Sequence, residues 1–268
     1  SVMRLDASAR FDRIHLLIRE RDGYRWRRVA TNQMSDFGEF QDGVDWVART
    51  DAYDEALVLT RANNADTLGL HRYSLTEGEV IGPVFETPVS DVNGVRVDPF
   101  TGRALALAWA DEQTYVEVFD PAVARHLDAL RTFFGDDVVV EPMQRAGTRI
   151  LIGVSGPTEP QSFYLYDTQA YNIVPVGVAQ PALQYTALAD VSVHRYRASD
   201  GTALFGFVTH PVDPEPGPLA LVVMPHGGPE ARDFNQFDAL AQLVAAEGFM
   251  VFQPQFRGSG GFGQAFAE

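Results

Sequence analysis

The chain has 268 residues and a formal net charge of −15, with 46% apolar residues and no cysteine, which is ample for a buried core and for about two domains. All 21 basic residues are arginine, so a Walker A loop, a Schiff-base lysine, a Ser-Lys dyad, a disulfide, a thiolate zinc site and a cysteine nucleophile are excluded within this sequence. The acidic balance argues against nucleic acid or an anionic membrane as partner and reads most simply as a solvated surface.

No run of 18 apolar residues is present to cross a membrane as a helix. The histidines are scattered and no His-Glu-x-x-His occurs, so neither a metal nor a cofactor is expected. Ser1-Val2-Met3-Arg4 has no apolar core of a signal peptide. In a stretch internal to a longer protein that leaves the compartment open between cytoplasm and periplasm.

The first 180 or so residues read as β-structure with little helix. Ile14 to Glu20 and Tyr24 to Val29 are strands around a turn at Arg21-Asp22-Gly23. His15 lies in the first of them as a packed or edge histidine. A second group comprises Ala56–Thr60, Leu68–Leu75 and Val80–Val84, and a third Gly94–Asp98, Ala104–Trp109 and Thr114–Asp120. A fourth runs through Asp137–Glu141, Arg149–Ser155 and Ser162–Asp167 to Tyr171–Val176. Tyr73-Ser74, Phe119-Asp120 and Tyr166-Asp167 each close a strand, at intervals of about 46 and 47 residues, the spacing of four-stranded propeller blades. A β-sandwich is the competing reading of the same repeat. The blades are too few to close a ring, so more are expected ahead of Ser1.

Pro121 to Phe134 breaks the pattern. Val123, Leu127, Leu130 and Phe134 recur at helical spacing behind a proline at the first turn, which predicts a helical insert. His126 on it is expected to be exposed. Val191–Arg197 and Ala203–Pro211 form a hairpin turning at Asp200-Gly201, with His194 and His210 at strand ends. Asp213 to Pro218 is a stiff surface loop.

Leu219 to Met224 is an apolar run that predicts a fully buried parallel strand. It breaks at His226-Gly227-Gly228-Pro229, and an amphipathic helix from Phe237 to Ala246 ends before Gly248. A second buried strand, Phe249–Phe252, leads into Phe256-Arg257-Gly258-Ser259-Gly260-Gly261-Phe262-Gly263. Strand, glycine turn, helix, glycine and strand make one unit of an open α/β sheet. A His-Gly-Gly turn after such a strand is where α/β-hydrolases build half of an oxyanion hole, glycine letting backbone N–H groups approach a developing negative charge.

His226-Gly227-Gly228-Pro229, Phe237, Gly248-Phe249 and the segment Phe256–Gly263, in that order, resemble the opening of the catalytic domain of the prolyl oligopeptidase family, most of all its acylaminoacyl-peptidase and dipeptidyl-peptidase branches. The resemblance covers roughly the last quarter of the chain. It departs at Gln255, where these peptidases usually carry asparagine. It implies residues 1–185 as the C-terminal blades of a β-propeller and residues 186–268 as the N-terminal part of an α/β-hydrolase domain, truncated before the nucleophile. No serine has glycine at both minus two and plus two, so the Gly-x-Ser-x-Gly elbow and the rest of a Ser-His-Asp triad are missing.

The expected site is therefore a partial one. The resemblance implies that His226 shapes the turn and that the backbone of Gly227 or Gly228 donates to the oxyanion; the second donor would follow the absent serine. Arg257, Gly258 and Ser259 are read as a structural turn, with Ser259 no nucleophile. The Gly258–Gly263 spacing also matches G-x-G-x-x-G, but no acidic residue follows at the distance a dinucleotide site needs. The function implied is part of a serine peptidase acting on short peptides by acyl transfer, inactive as this chain alone, with a peptide substrate and the remainder of its own polypeptide as partners. An oligomer stays open, as do exo- or endopeptidase action and the preferred cleavage residue. The alternatives are a non-catalytic propeller used for binding and an α/β-hydrolase esterase.

Overall fold

The computed structural model describes residues 2–10, 13–19, 23–33, 44–214, 216–228 and 230–267. The predicted turn at Arg21-Asp22, together with Glu20, Glu215 and Pro229, lies outside them. The chain is mostly β-sheet and divides into two compact units: Ser1–Pro88 with Pro99–Ala104, and Val89–Asp98 with Leu105–Glu268.

The first unit holds two antiparallel meanders. One is β1 (Val2–Ala7), β2 (Arg13–Arg19) and β3 (Arg27–Gln33); the other is β4 (Asp45–Arg49), β5 (Glu55–Thr60), β6 (Gly69–Ser74) and β7 (Glu79–Phe85). Alternation decides which side chains go inward. Leu16 and Ile18 of β2 meet Ala56 and Val58 of β5 and Tyr73 of β6 in one core, with the Trp46 ring edge-on to Tyr73 at 4.8 Å. The strands β1 and β4 were not foreseen. β1 is short and carries the charges Arg4 and Asp6, and the five-residue β4 shows no clean alternation.

The second unit begins with β8 (Val92–Val97), β9 (Ala104–Ala110, in this unit from Leu105) and β10 (Thr114–Val118), in the order β10-β9-β8. Helix α1 (Pro121–Phe134) follows, then the antiparallel meander β11 (Val139–Ala146), β12 (Arg149–Gly156), β13 (Glu159–Asp167) and β14 (Asn172–Val178). The helix spans the predicted residues. Asp120 caps it by accepting from the amides of Ala122 (2.8 Å) and Val123 (3.4 Å), and Gly135 ends it at φ 120°. Its buried face, Val123, Leu127 and Leu130, packs on Ile150, Ile152 and Val154 of β12. His126 is half-buried rather than exposed, because its Nδ1 lies 2.8 Å from the Tyr166 hydroxyl on that meander.

The last sheet is mixed. The hairpin β15 (Val191–Arg197) and β16 (Ala203–Thr209) is followed by β17 (Leu221–Val223), α2 (Ala239–Ala246), β18 (Met250–Gln255) and the short α3 (Gln264–Ala267), in strand order β15-β16-β18-β17. β17 runs parallel to β18, as predicted, and α2 connects them. Asp238 caps α2 at the Leu240 and Ala241 amides, so the helix starts two residues later than the apolar pattern suggested; Gly248 leaves it at φ 90°. The prediction of a fully buried β17 is corrected. It is a three-residue edge strand with Leu221 54% and Val223 57% exposed, because β18 pairs with only one of its sides.

Candidate functional site

The turn after β17 carries His226, Gly227 and Gly228, and the turn after β18 carries Arg257, Gly258 and Ser259. Parallel pairing of the two strands brings both turns to one end of the sheet. Their residues then meet: His226 Nε2 lies 2.7 Å from Ser259 Oγ, and the His226 ring stacks on Phe256 at 4.5 Å and 13°.

The proton positions follow from the partners. Ser259 Oγ accepts from the Phe256 amide at 3.0 Å, which leaves its own proton for His226 Nε2. His226 Nδ1 is 2.7 Å from the Gly227 carbonyl, which can only accept, so Nδ1 carries the hydrogen. Nε2 is then the acceptor, and the neutral ring satisfies all three contacts. A trans peptide sets C=O and N–H in opposite directions. With its carbonyl held by the imidazole, the Gly227–Gly228 unit turns the Gly228 amide away from the ring. Both glycines are exposed, and a Cβ on either would meet nothing within 4 Å.

The second turn is held tightly. Ser259 and Gly260 are buried, and a Cβ on Gly260 would lie 2.0 Å from the Glu230 carbonyl oxygen. The Gly260 amide donates to Ala231 O at 3.0 Å and the Gly258 amide to Phe266 O at 2.9 Å. Gly258 and Gly261 adopt φ 92° and 81°, which only glycine does without strain. Arg257 is exposed and pairs with Asp200 on the β15–β16 turn. Gln255, the departure from the family's asparagine, is fully buried and donates to the Asp233 carbonyl at 3.0 Å.

Sequence reasoning missed Asp233 and Arg232. Burial pushes the Asp233 carboxyl above the usual carboxylate range. Arg232 is largely buried, with its guanidinium 3.9 Å from the Phe262 ring. Neither carries a sequence signal, since a single Arg or Asp in a loop reads as a solvated charge. His15, His194 and His210 stay apart from the turns: His15 Nδ1 meets Thr31 Oγ1 at 2.9 Å, His194 lies among Tyr196 and Phe252, and His210 Nε2 meets Ser192 Oγ at 2.7 Å. Among the described residues, no cluster of three or more His, Cys, Asp or Glu could hold a metal ion.

No protein-family model matches the sequence. Dipeptidyl aminopeptidase BIII of Pseudoxanthomonas mexicana is 27% identical over 219 residues, 79% of this chain and 32% of that protein. The chain is a homologue of that dipeptidyl aminopeptidase, and its structural neighbours are prolyl oligopeptidase family peptidases. It spans about a third of the length of this curated relative. Among solved structures, oligopeptidase B from Leishmania major matches with TM-score 0.63 and 13% identity, over 99% of this chain and 40% of that one. Dipeptidyl peptidase 4 of Porphyromonas gingivalis matches with TM-score 0.64 and 11% identity, over 99% of this chain and 38% of that one. At these identities the likeness is one of fold, and it runs along nearly all of the chain. The likeness of fold thus extends beyond the last quarter through the strand repeats, where the sequence carries no motif.

Proposed function

We propose that the chain is the part of a serine peptidase in which propeller blades (residues 1–185) pass into the start of an α/β-hydrolase domain (residues 186–268). Successive antiparallel meanders of three or four strands followed by a parallel β17–α2–β18 crossover support that division. So does exposed apolar surface at Leu221, Val223, Leu240 and Leu243, which further strands and helices of a hydrolase sheet would cover.

The observation that carries the reading is the His226–Gly227 hydrogen bond, which turns the Gly228 amide outward at the end of a parallel strand. In an acyl transfer that amide would donate to the tetrahedral oxyanion, and loss of one such donor costs about 3 kcal/mol of transition-state stabilisation. His226 and Ser259 would hold the peptide plane and Arg257-Gly258-Ser259 the turn beneath it. Nucleophile, base and acid would come from polypeptide outside this sequence, together with the second oxyanion donor. The substrate class is short peptides, cleaved through a Ser-His-Asp acyl-enzyme.

The test is the intact mass of the natural protein before and after a fluorophosphonate. A protein well above 29.5 kDa that gains one adduct and cleaves peptide amides is expected, and the isolated 268-residue chain should take none. Labelling with turnover of esters but not amides would replace peptidase by esterase. A natural protein that takes no label at all would leave a binding module.

A further inference from the structure

The loop leaving the His-Gly-Gly turn is pinned by one side chain. Arg232 donates from Nη1 to the carbonyls of Ala110 (3.0 Å) and Gly261 (3.3 Å), from Nη2 to that of Asp111 (2.9 Å) and, at the long limit, from Nε to that of Asp233 (3.5 Å). Its guanidinium also lies over the rings of Phe262 and Phe234, at 3.9 and 4.8 Å. Burial pushes its pKa down to about 10, against the pull of Asp111, Asp91 and Asp233, so it stays charged at neutral pH. A planar fork with several donors can serve four carbonyls and two rings together; an ammonium cannot.

Two of those carbonyls belong to the tight turn between β9 and β10, far upstream in sequence. Arg195 on β15 holds the same turn through a two-pronged pair with Glu112. The Asp91 amide donates at 3.0 Å to the Gly261 carbonyl as well, so Arg232 and Asp91 share that acceptor. Glu230 and Ala231, just before Arg232, are closely held. The Ala231 carbonyl is bound by Gly260, the Glu230 carbonyl abuts Gly260, and Glu230 itself sits at φ 53°, strained for a residue with a Cβ.

We propose that Arg232 is a positioning residue that makes the placement of the Gly228 amide depend on docking of the β9–β10 turn. If that turn moves away, a buried guanidinium loses two of its four carbonyl acceptors, and a charge left so cannot stay where it is. Arg232 is four residues along the chain from Gly228, and through the held Glu230 and Ala231 its displacement is passed toward the Gly227–Gly228 peptide. The strand repeats thereby act on the chemistry of the following sheet through one side chain. The inference rests on the reading of Gly228 as an oxyanion donor.

The experiment uses the natural protein with Arg232→Lys, Arg232→Met and Glu112→Gln, measuring kcat and KM separately and hydrogen exchange over segments 225–232 and 108–114. Arg232→Met should lower kcat about ten-fold or more while KM moves less than about three-fold. Arg232→Lys should not rescue it. Exchange should rise in both segments together. Glu112→Gln, at an exposed pair that folding does not need, should lower kcat less, and less than additively with Arg232→Met. A folded Arg232→Met protein with wild-type kcat, or faster exchange confined to 225–232, overturns the proposal. A wild-type protein that neither labels nor turns over overturns the peptidase reading alone, and the joint exchange response then decides the coupling.

Discussion

Gly260 shows how narrowly the two turns are fitted. A methyl group there would come within 2.0 Å of the Glu230 oxygen and 2.8 Å of its carbonyl carbon, both backbone atoms that cannot rotate aside. Overpacking of this kind costs about 1–3 kcal/mol, so Gly260→Ala should lower the melting temperature by several degrees, on the order of 2–4 °C per kcal/mol. Gly94→Ala, where a Cβ meets nothing within 4 Å, should stay within about 0.5 kcal/mol of wild type. Equal melting temperatures for the two variants would contradict this packing. The candidate site was partly legible at this scale. His226, Gly227, Gly228 and Ser259 stand out because glycines bracketing a histidine or a serine after an apolar run are chemically unusual. The His226–Ser259 bond was not legible, since it joins residues 33 positions apart through strand pairing that neither segment encodes alone. Arg232 and Gln255 were illegible as anchors for the same reason.

Elements repeat the lesson with a different balance. Helix α1 was readable to its ends because capping, proline placement and apolar spacing are all local. Asp120 accepts two amides of its first turn and also pairs with Arg145 at 2.6 Å, and these contacts hold its carboxyl below the usual range, the Arg145 bond foremost. Replacing it by alanine should cost about 1 kcal/mol through the lost cap; the exposed ion pair adds little. The sign of the pH dependence follows from a native pKa below the unfolded value of 3.8. The contribution is present above about pH 4 and fades as pH falls through the native pKa. Thermal melts of wild type and Asp120→Ala should therefore converge toward acid, and a gap that widened instead would argue against the cap. β17 went the other way. Leu219 to Met224 has the composition of a central strand, yet the described strand is short and exposed, because burial depends on neighbours that the run itself does not specify.

At the scale of the whole molecule, exposed apolar side chains gather in the last parallel unit: Leu221, Val223, Leu240, Leu243 and Phe249 are each at least 40% exposed. A patch of that kind on a chain of otherwise high charge marks a surface built to be covered. The isolated 268-residue chain should bind an apolar dye such as anilinonaphthalene sulfonate, and Leu221→Thr with Val223→Thr should reduce that binding without altering the far-ultraviolet spectrum. The natural protein should bind far less dye than the isolated chain. Strong dye binding by both would mean that no further polypeptide covers this face.

Local chemistry alone determined the strand repeats, the 14-residue helix, the parallel crossover unit and the kinship carried by its two glycine turns. Each of these rests on alternation, capping or backbone freedom within a few neighbouring residues. Tertiary structure alone decided that His226 and Ser259 share a hydrogen bond, and that Arg232 joins the second turn to a hairpin more than a hundred residues upstream. Those are contacts between distant segments, and a pairing register between strands, not any property of a residue and its neighbours, brings them together.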